Sequence, residues 1–130
     1  MMASVRSRDT APEMAVRRAL HAAGYRYRLH RKDLPGTPDI VFGPKRIVVR
    51  VQGCFWHGHS CRKGRLPTTN VDFWARKIER NVSRDATDAE RLARMGWTVL
   101  DVWECSVPQG ISEVLDQLAS TGRSRSPSTA

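Results

Sequence analysis

Apolar residues recur at helical spacing in three parts of the chain. This period predicts helices over residues 11–23, 71–95 and 111–119. The first helix has the clearest start, because Thr10 and Glu13 have the spacing of a capping box and a proline lies in the first turn. Gly24 supplies its stop, as glycine commonly does after the last helical turn.

Runs of β-branched and alternating apolar residues mark the strands. They predict strands over residues 25–29, 39–42, 46–51 and 97–103. Between them, residues 53–70 carry Gly, His, Cys, Pro and Thr without periodicity, which predicts a long irregular excursion. The order of elements indicates an α/β fold, with one mixed sheet flanked by helices. We expect a single domain over residues 1–119 and a disordered tail over residues 120–130, where Ser, Thr, Arg and Pro dominate.

Composition narrows the classes of function. The 130 residues carry a net charge of +9, and 18 of the 22 basic residues are arginine, which suits recognition of phosphates and base edges. An Arg-rich codon usage explains the arginine bias equally well. No apolar run reaches the roughly 18 residues of a membrane span, and the first ten residues have no secretory signal. Three cysteines cannot complete a disulfide framework, so a reducing compartment is expected.

The cysteines and two histidines have the composition of a zinc site. Cys54, His59 and Cys61 lie within eight residues of each other, and Cys105 follows the last predicted strand. Together they form the Cys₃His set of a structural zinc site, with His57 as the rival histidine ligand. The alternative is that Cys54 and Cys105 are small buried residues and that the histidine is solvated.

One acidic residue stands at the start of a predicted strand. Asp39 follows Pro38, at a position where many metal-dependent nucleases place an acid that binds magnesium beside the scissile phosphate. The neighbouring strand ends in Arg50-Val51-Gln52 and supplies neither a second acid nor a lysine. Taken alone, the Pro-Asp pair is therefore better explained as a turn.

A second acid falls on an apolar stripe. Asp85 lies seven residues after Ile78 on the inward face of the 71–95 helix, where a carboxylate is costly unless it is paired or bound to a metal. Pairing with a neighbour such as Arg84 or Arg91 is the simpler explanation.

Bulky aromatic residues lie in or beside the polar excursion. Phe55, Trp56 and Trp74 could wedge between base pairs from a groove of DNA, or could cover the hydrophobic core. Considered alone, the core is the simpler assignment.

Together these motifs resemble the very short patch repair (Vsr-type) endonucleases. The resemblance rests on GCFWHGH at residues 53–59 followed by Cys61, on residues 73–85, on GW at 96–97 with WEC at 103–105, and on LPGTPDIVF at 34–42. It also includes Arg8-Asp9-Thr10 and Glu13, and it runs in one register from Met2 to Cys105.

The resemblance implies a restriction-endonuclease-like fold of the PD-(D/E)XK type, with a mixed sheet, flanking helices and a zinc-stapled loop. It implies a metal-dependent DNA endonuclease, which hydrolyses a phosphodiester bond 5′ to the thymine of a T:G mismatch. Such mismatches arise when 5-methylcytosine is deaminated.

Roles for individual residues follow from the same resemblance. Asp39 and the main-chain carbonyl of Val51 would bind magnesium, and His57 would be the general acid/base. Asp85 would orient His57 or a metal-bound water, and Glu13 would support the site from the first helix. The structural zinc ligands would be Cys54, His59, Cys61 and Cys105. The intercalating residues would be Phe55, Trp56 and Trp74, with Met2 and Val5 as a second wedge from the other groove.

Gln52 departs from this pattern, because the very short patch repair endonucleases usually have an active-site histidine at this position. Glutamine cannot take up a proton near neutral pH, but its amide can orient a water or a phosphate oxygen. We expect a working nuclease with altered surroundings of its active site. The alternatives are a zinc-stabilised protein that binds mismatched or distorted DNA with weak or no cleavage, and a nickase with a different mismatch specificity.

The expected partner is double-stranded DNA with a T:G mismatch, and other repair proteins are candidate partners. No membrane is involved in this hypothesis, and a monomer is expected because one nick in one strand requires only one active site. The expected location is the bacterial cytoplasm, in association with the nucleoid.

Overall fold

The computed structural model describes residues 10–54 and 67–128, with side chains described as far as residue 120. The elements in these ranges are α1 (Ala11–Ala22), β1 (Arg28–Leu29), β2 (Ile40–Phe42), β3 (Ile47–Gln52), α2 (Val71–Arg94), β4 (Thr98–Trp103) and α3 (Val107–Ser128). A 3₁₀ turn at Glu104–Ser106 connects β4 to α3. The predicted order of helices and strands is confirmed.

The four strands form one mixed sheet in the order β1-β2-β3-β4. β1, β2 and β3 pair antiparallel, whereas β3 and β4 pair parallel, with Val48 opposite Val99 and Gln52 opposite Trp103. A parallel pair needs a long crossover, and α2 lies in the connection between β3 and β4. The structure therefore confirms the predicted mixed α/β sheet.

Alternate residues of the strands are buried in two separate hydrophobic clusters, because successive side chains of a strand point to opposite faces of the sheet. On one face, α1 and α3 pack against the sheet through Val16, Leu20, Val114, Leu118, Ile40, Phe42, Ile47, Val49 and Val102. On the other face, the cluster consists of Leu34, Val41, Val48, Leu92 and Trp97. Leu92 comes from α2, so the described chain has three layers, with the sheet in the middle.

Two elements, β1 and α3, differ from the prediction. β1 has two residues rather than five, because Tyr25 and Tyr27 pack edge-to-face on Phe42 at centroid distances of 6.2 and 5.9 Å without joining the ladder. α3 begins four residues earlier than predicted, where a proline in the first turn is compatible with a helix start. It continues to Ser128, and the disorder expected for residues 120–130 stays a prediction.

The apolar stripe predicted on α2, which consists of Ile78, Val82, Ala89 and Leu92 and also contains Asp85, is only partly buried. Ile78 and Leu92 are buried, but Val82 is 42% exposed. Asp85, on the same stripe, is half-buried. Within residues 10–54 and 67–128, no helix combines the length and the hydrophobicity that a membrane span requires.

Candidate active site

The first turn of α1 directs the carboxylate of Glu13 toward the sheet. Thr10 caps the helix, since its hydroxyl accepts a hydrogen bond from the Glu13 N–H at 3.3 Å. The side chain of Glu13 is buried, with only 1% of the residue exposed. Its Oε2 lies 2.8 Å from Nε2 of His30 and 3.5 Å from Nη1 of Arg17. Glu13 therefore has the position in the first turn that the capping box predicts, with its carboxylate directed at the end of β1.

His30 follows β1 and brings an imidazole to this carboxylate. Its φ of 48° lies in the left-handed region, which residues other than glycine seldom adopt. The His30 N–H donates to the Asp39 carbonyl at 3.0 Å, so the main chain holds the histidine beside the start of β2. The sequence alone did not indicate a role for His30. The only local signal is that His30 directly follows the alternating segment 25–29, and this pattern does not indicate which distant residues the histidine contacts.

Asp39 precedes β2, and the central strand fixes its side chain. Its Oδ2 accepts a hydrogen bond from the Val51 N–H at 2.8 Å. One donor atom each from Glu13, His30 and Asp39 lies within 4.8 Å of the other two. Oxygen and nitrogen donors of these types bind divalent cations. We call these three residues the donor cluster.

The loop before Asp39 rests on α2. Leu34 is buried in the cluster beneath that helix. Gly36 has a φ of +78°, and a Cβ atom at this position would lie 2.7 Å from Oδ2 of Asp88. A glycine is therefore needed for both its φ and its close approach. These contacts set where the chain enters β2, and so where Asp39 stands.

A second set of charged residues braces the opposite face of the sheet. Arg50 donates from Nε and Nη2 to the two carboxylate oxygens of Asp101, at 2.7 and 3.0 Å, and from Nη1 to the main-chain carbonyl of Asp85 at 2.9 Å. We call Arg50, Asp101 and the Asp85 carbonyl the Arg50 clamp. Burial disfavours the charged guanidinium, but its hydrogen bonds and Coulombic attraction to Asp101, helped by the charge of Asp85, outweigh burial and raise the pKa of Arg50 above its ordinary value. The clamp ties α2 to β3 and β4.

Two further predicted site residues lie on described elements but outside the donor cluster. Gln52 ends β3 and is 5% exposed. Asp85 is positioned through the contact of its main chain with Arg50. Among residues 10–54 and 67–128, the acidic and histidine side chains that converge are those of Glu13, His30 and Asp39, and Asp85 is not one of them. Their assignment to the active site stays a prediction.

Two of the four predicted zinc ligands stand at adjacent strand ends. β3 and β4 pair in parallel as far as Gln52 and Trp103, and Cys54 and Cys105 each follow two residues after the end of this pairing. The Cys54 N–H donates to Oε1 of Glu104 at 3.3 Å, which also holds the two strand ends together. Cys54 is buried and Cys105 is exposed, and neither forms a disulfide bond. Zinc binding itself stays a prediction.

The remaining predicted site residues lie outside the described residues, apart from Trp74. Those outside are Met2, Val5, Phe55, Trp56, His57, His59 and Cys61. Trp74 is in the first turn of α2, half-buried, with its ring 5.1 Å from that of Phe73 in an edge-to-face contact. Phe73 is 52% exposed. The start of α2 therefore presents an aromatic surface.

Comparison with known proteins identifies a family. Residues 1–63 match the family described as DNA mismatch endonuclease Vsr. A type II nicking enzyme of Xanthomonas oryzae pv. oryzae, V.XorIIP, is 57% identical over 107 residues, which are 82% of this chain and 79% of that enzyme. The type II nicking enzyme V.NmeAIP of Neisseria meningitidis is 44% identical over 107 residues, 82% of this chain and 76% of the relative. The DNA mismatch endonuclease Vsr of Escherichia coli is 40% identical over 116 residues, 89% of this chain and 74% of the relative.

Proposed function

The chain belongs to the Vsr family of DNA mismatch endonucleases, and from this premise we propose that it nicks DNA 5′ to the thymine of a T:G mismatch in a magnesium-dependent reaction. Membership in the family makes it a DNA endonuclease, a hydrolase of phosphodiester bonds that acts on mismatched DNA. The observation that carries the magnesium-dependent part of this proposal is the donor cluster, because it gathers carboxylates around Asp39 at the start of β2, whereas the proposed T:G specificity follows from the resemblance to the family.

The residues around Asp39 fit a magnesium ion. Its carboxylate is held by the Val51 N–H. The N–H and carbonyl of one residue point to the same edge of a strand, so the Val51 carbonyl faces the edge where Asp39 stands. We propose these two oxygens as magnesium ligands, since Mg²⁺ prefers oxygen. Bound there, magnesium would stabilise the negative charge that develops on the scissile phosphate.

We propose that protein groups around Asp39 position the reacting atoms and move the proton. His57 is the proposed general acid/base, and Asp85 is proposed to orient it, with the Arg50 contact to the Asp85 main chain supporting that position. Gln52 is proposed to orient a water or a phosphate oxygen through its amide, a role for which a rigid position at the end of β3 is favourable. Glu13 supports the site from α1.

We also propose that Cys54, His59, Cys61 and Cys105 bind a structural zinc ion. The adjacency of the ends of β3 and β4 supports this, because a zinc ion at Cys54 and Cys105 would close the sheet at this point. Cys105→Ser is expected to lower both zinc content and thermal stability, since structural zinc contributes folding free energy. His59→Ala should lose zinc while His57→Ala retains it. If His59→Ala retains zinc and His57→Ala loses it, His57 rather than His59 is the histidine ligand of the zinc ion.

For DNA contact, we propose that aromatic residues intercalate next to the mismatch from one groove. They are Phe55, Trp56 and Trp74. Met2 and Val5 are proposed to enter from the other groove. The exposed Phe73 beside Trp74 supports an aromatic contact surface at the start of α2. Trp74→Ala should weaken binding to a T:G duplex more than to a matched duplex, and an equal loss for both would assign Trp74 to the core.

A nickase for a different sequence or mismatch context is a second candidate. The identity to V.XorIIP, a type II nicking enzyme, is 57%, compared with 40% to the Escherichia coli mismatch endonuclease. Cleavage of duplexes that carry each mismatch in varied flanking sequences distinguishes the two. The relatives are bacterial enzymes, and we propose that this one acts on the DNA of the bacterial nucleoid.

Gln52 gives a direct test of whether the nuclease is active. If the protein binds a T:G duplex and does not cut it in Mg²⁺ or Mn²⁺, the family member is a mismatch-binding protein. Gln52→His should then restore cleavage. Cleavage by the unaltered chain would show that glutamine suffices at this position.

A further inference from the structure

We propose that His30 is a nitrogen ligand of the catalytic metal ion, so that Glu13, His30 and Asp39 form a mixed site of two carboxylates and one imidazole. This inference rests on the proposed function and deepens it, since it adds two ligands, Glu13 and His30, to the ion of that site. It makes His30 a residue of the metal site, which the sequence did not indicate.

The spacing of the three side chains matches ligands around one ion. With metal–ligand bonds of about 2.1 Å, octahedral ligands lie about 3 Å apart when adjacent and about 4.2 Å apart when opposite. Nε2 of His30 lies 2.8 Å from Oε2 of Glu13, and the donor atoms of all three residues lie within 4.8 Å of one another. A single cation can therefore reach all three from one point after small side-chain movements.

The fold holds these groups in place before any ion binds. The side chains of Glu13 and His30 are 2% and 13% exposed, and burying a carboxylate is costly unless a partner compensates it. Arg17 also approaches Glu13, but at 3.5 Å it is the more distant partner. The left-handed backbone of His30 and its hydrogen bond to the Asp39 carbonyl direct the imidazole toward both acids.

An imidazole ligand changes which metals the site prefers. Magnesium favours oxygen ligands, whereas nitrogen ligands raise the relative affinity for the first-row transition metals. We therefore expect the site to bind Mn²⁺ more tightly than Mg²⁺. Replacing the imidazole by an amide should reduce Mn²⁺ affinity by at least about tenfold, the lower end of the losses seen when even outer-shell partners of a metal site are changed. It should affect Mg²⁺ affinity less.

The test is electron spin-echo spectroscopy of Mn²⁺ bound to the full chain without DNA. Mn²⁺ is a suitable probe because it is a hard cation that competes weakly for cysteine thiolates. The wild-type protein is expected to show modulation from a directly bound ¹⁴N nucleus. Wild-type Mn²⁺ that binds without nitrogen modulation overturns the proposal, and this measurement requires no variant.

Two variants assign the nitrogen. His30→Gln should lose the modulation and bind Mn²⁺ at least about tenfold more weakly. His21→Gln, which changes an exposed histidine of α1, should leave both unchanged. Modulation that persists in His30→Gln places another histidine at the ion and overturns the proposal. Thermal unfolding of each variant establishes that the fold is retained.

The same samples separate this inference from the proposed function. If the wild type nicks a T:G duplex but its bound Mn²⁺ has no nitrogen ligand, only the assignment of His30 fails. If Mn²⁺ binds with a His30 nitrogen and no duplex is cut, the metal site stands and the proposed nuclease reaction fails.

Discussion

The donor cluster and the Arg50 clamp both place carboxylates beside a basic side chain. They differ in whether that basic side chain can bind a metal ion. In the clamp, all three nitrogens of Arg50 donate hydrogen bonds, to Asp101 and to the Asp85 carbonyl. In the donor cluster, the base is an imidazole, which can give up its proton and become a ligand, whereas a guanidinium cannot. The clamp is therefore a brace between α2 and the sheet, and the donor cluster is a candidate site of chemistry.

The largest effect is expected from a substitution in the donor cluster. Asp39→Asn keeps an oxygen for the Val51 N–H but removes the charge that a metal ion requires. We expect the nicking rate in Mg²⁺ to fall by at least about a thousandfold, which corresponds to several kcal/mol of transition-state stabilisation. Thermal unfolding should change little. Asp33→Asn alters an exposed acid of the preceding loop and serves as the control, which should nick at the wild-type rate. Equal nicking by the wild type and Asp39→Asn would contradict the assignment of Asp39.

The next largest effect is expected from a substitution in the Arg50 clamp. Arg50→Met removes both hydrogen bonds to Asp101 and leaves that carboxylate, which is 30% exposed, without them. We expect the free energy of unfolding to fall by about 2–3 kcal/mol, measured by urea denaturation. Arg94→Met breaks the exposed pair with Glu90 and should cost less than about 0.5 kcal/mol.

A double variant sharpens this result. Arg50→Met combined with Asp101→Leu removes both charges of the pair, and replacing a whole buried ion pair by apolar residues is often neutral. The double variant should therefore recover much of the lost stability. If the double variant is no more stable than Arg50→Met alone, the contact of Arg50 with the Asp85 carbonyl, and not its pair with Asp101, accounts for the loss.

A smaller effect concerns the loop that joins the two regions. Gly36→Ala places a methyl group against Asp88, whereas Gly24→Ala, also at positive φ, meets no atom within 4 Å. Both substitutions are strained, so their difference measures the close approach alone. We expect Gly36→Ala to be less stable than Gly24→Ala by about 1 kcal/mol, and Asp88→Ala to remove that difference. Equal stabilities would show that the loop does not rest on α2.

How far the sequence predicted these regions depends on whether the signal is local. The period of α2 and the β-branched run of β3 are local patterns, and both elements lie within two residues of their predicted positions. The pairing of Arg50 with Asp101 spans 51 residues, and that of Glu13 with His30 spans 17. No local pattern encodes such contacts, so the clamp and His30 were missed. Asp39 was assigned to the site from the resemblance to the family, and not from its spacing, and its role stays a prediction.

The smallest effect is a pH dependence in the loop. The hydrogen bonds from Arg31 lower the pKa of Asp33 below its ordinary value. A lowered pKa in the folded state gives stability that is present above the unfolded pKa and is lost as the pH falls through the folded value. Asp33→Asn should therefore make the loss of stability on acidification slightly shallower, as measured by thermal melts between about pH 5 and pH 2. A steeper loss would reverse the sign of this interaction.

The most direct test of the central claim is a strand-resolved nicking assay in Mg²⁺ on a T:G duplex, with matched T:A and C:G duplexes and with Asp39→Asn alongside. We predict one cut, 5′ to the thymine, in the T strand of the mismatched duplex only, and none by Asp39→Asn. Cleavage of all three duplexes, or cleavage by the variant at the wild-type rate, would contradict the account.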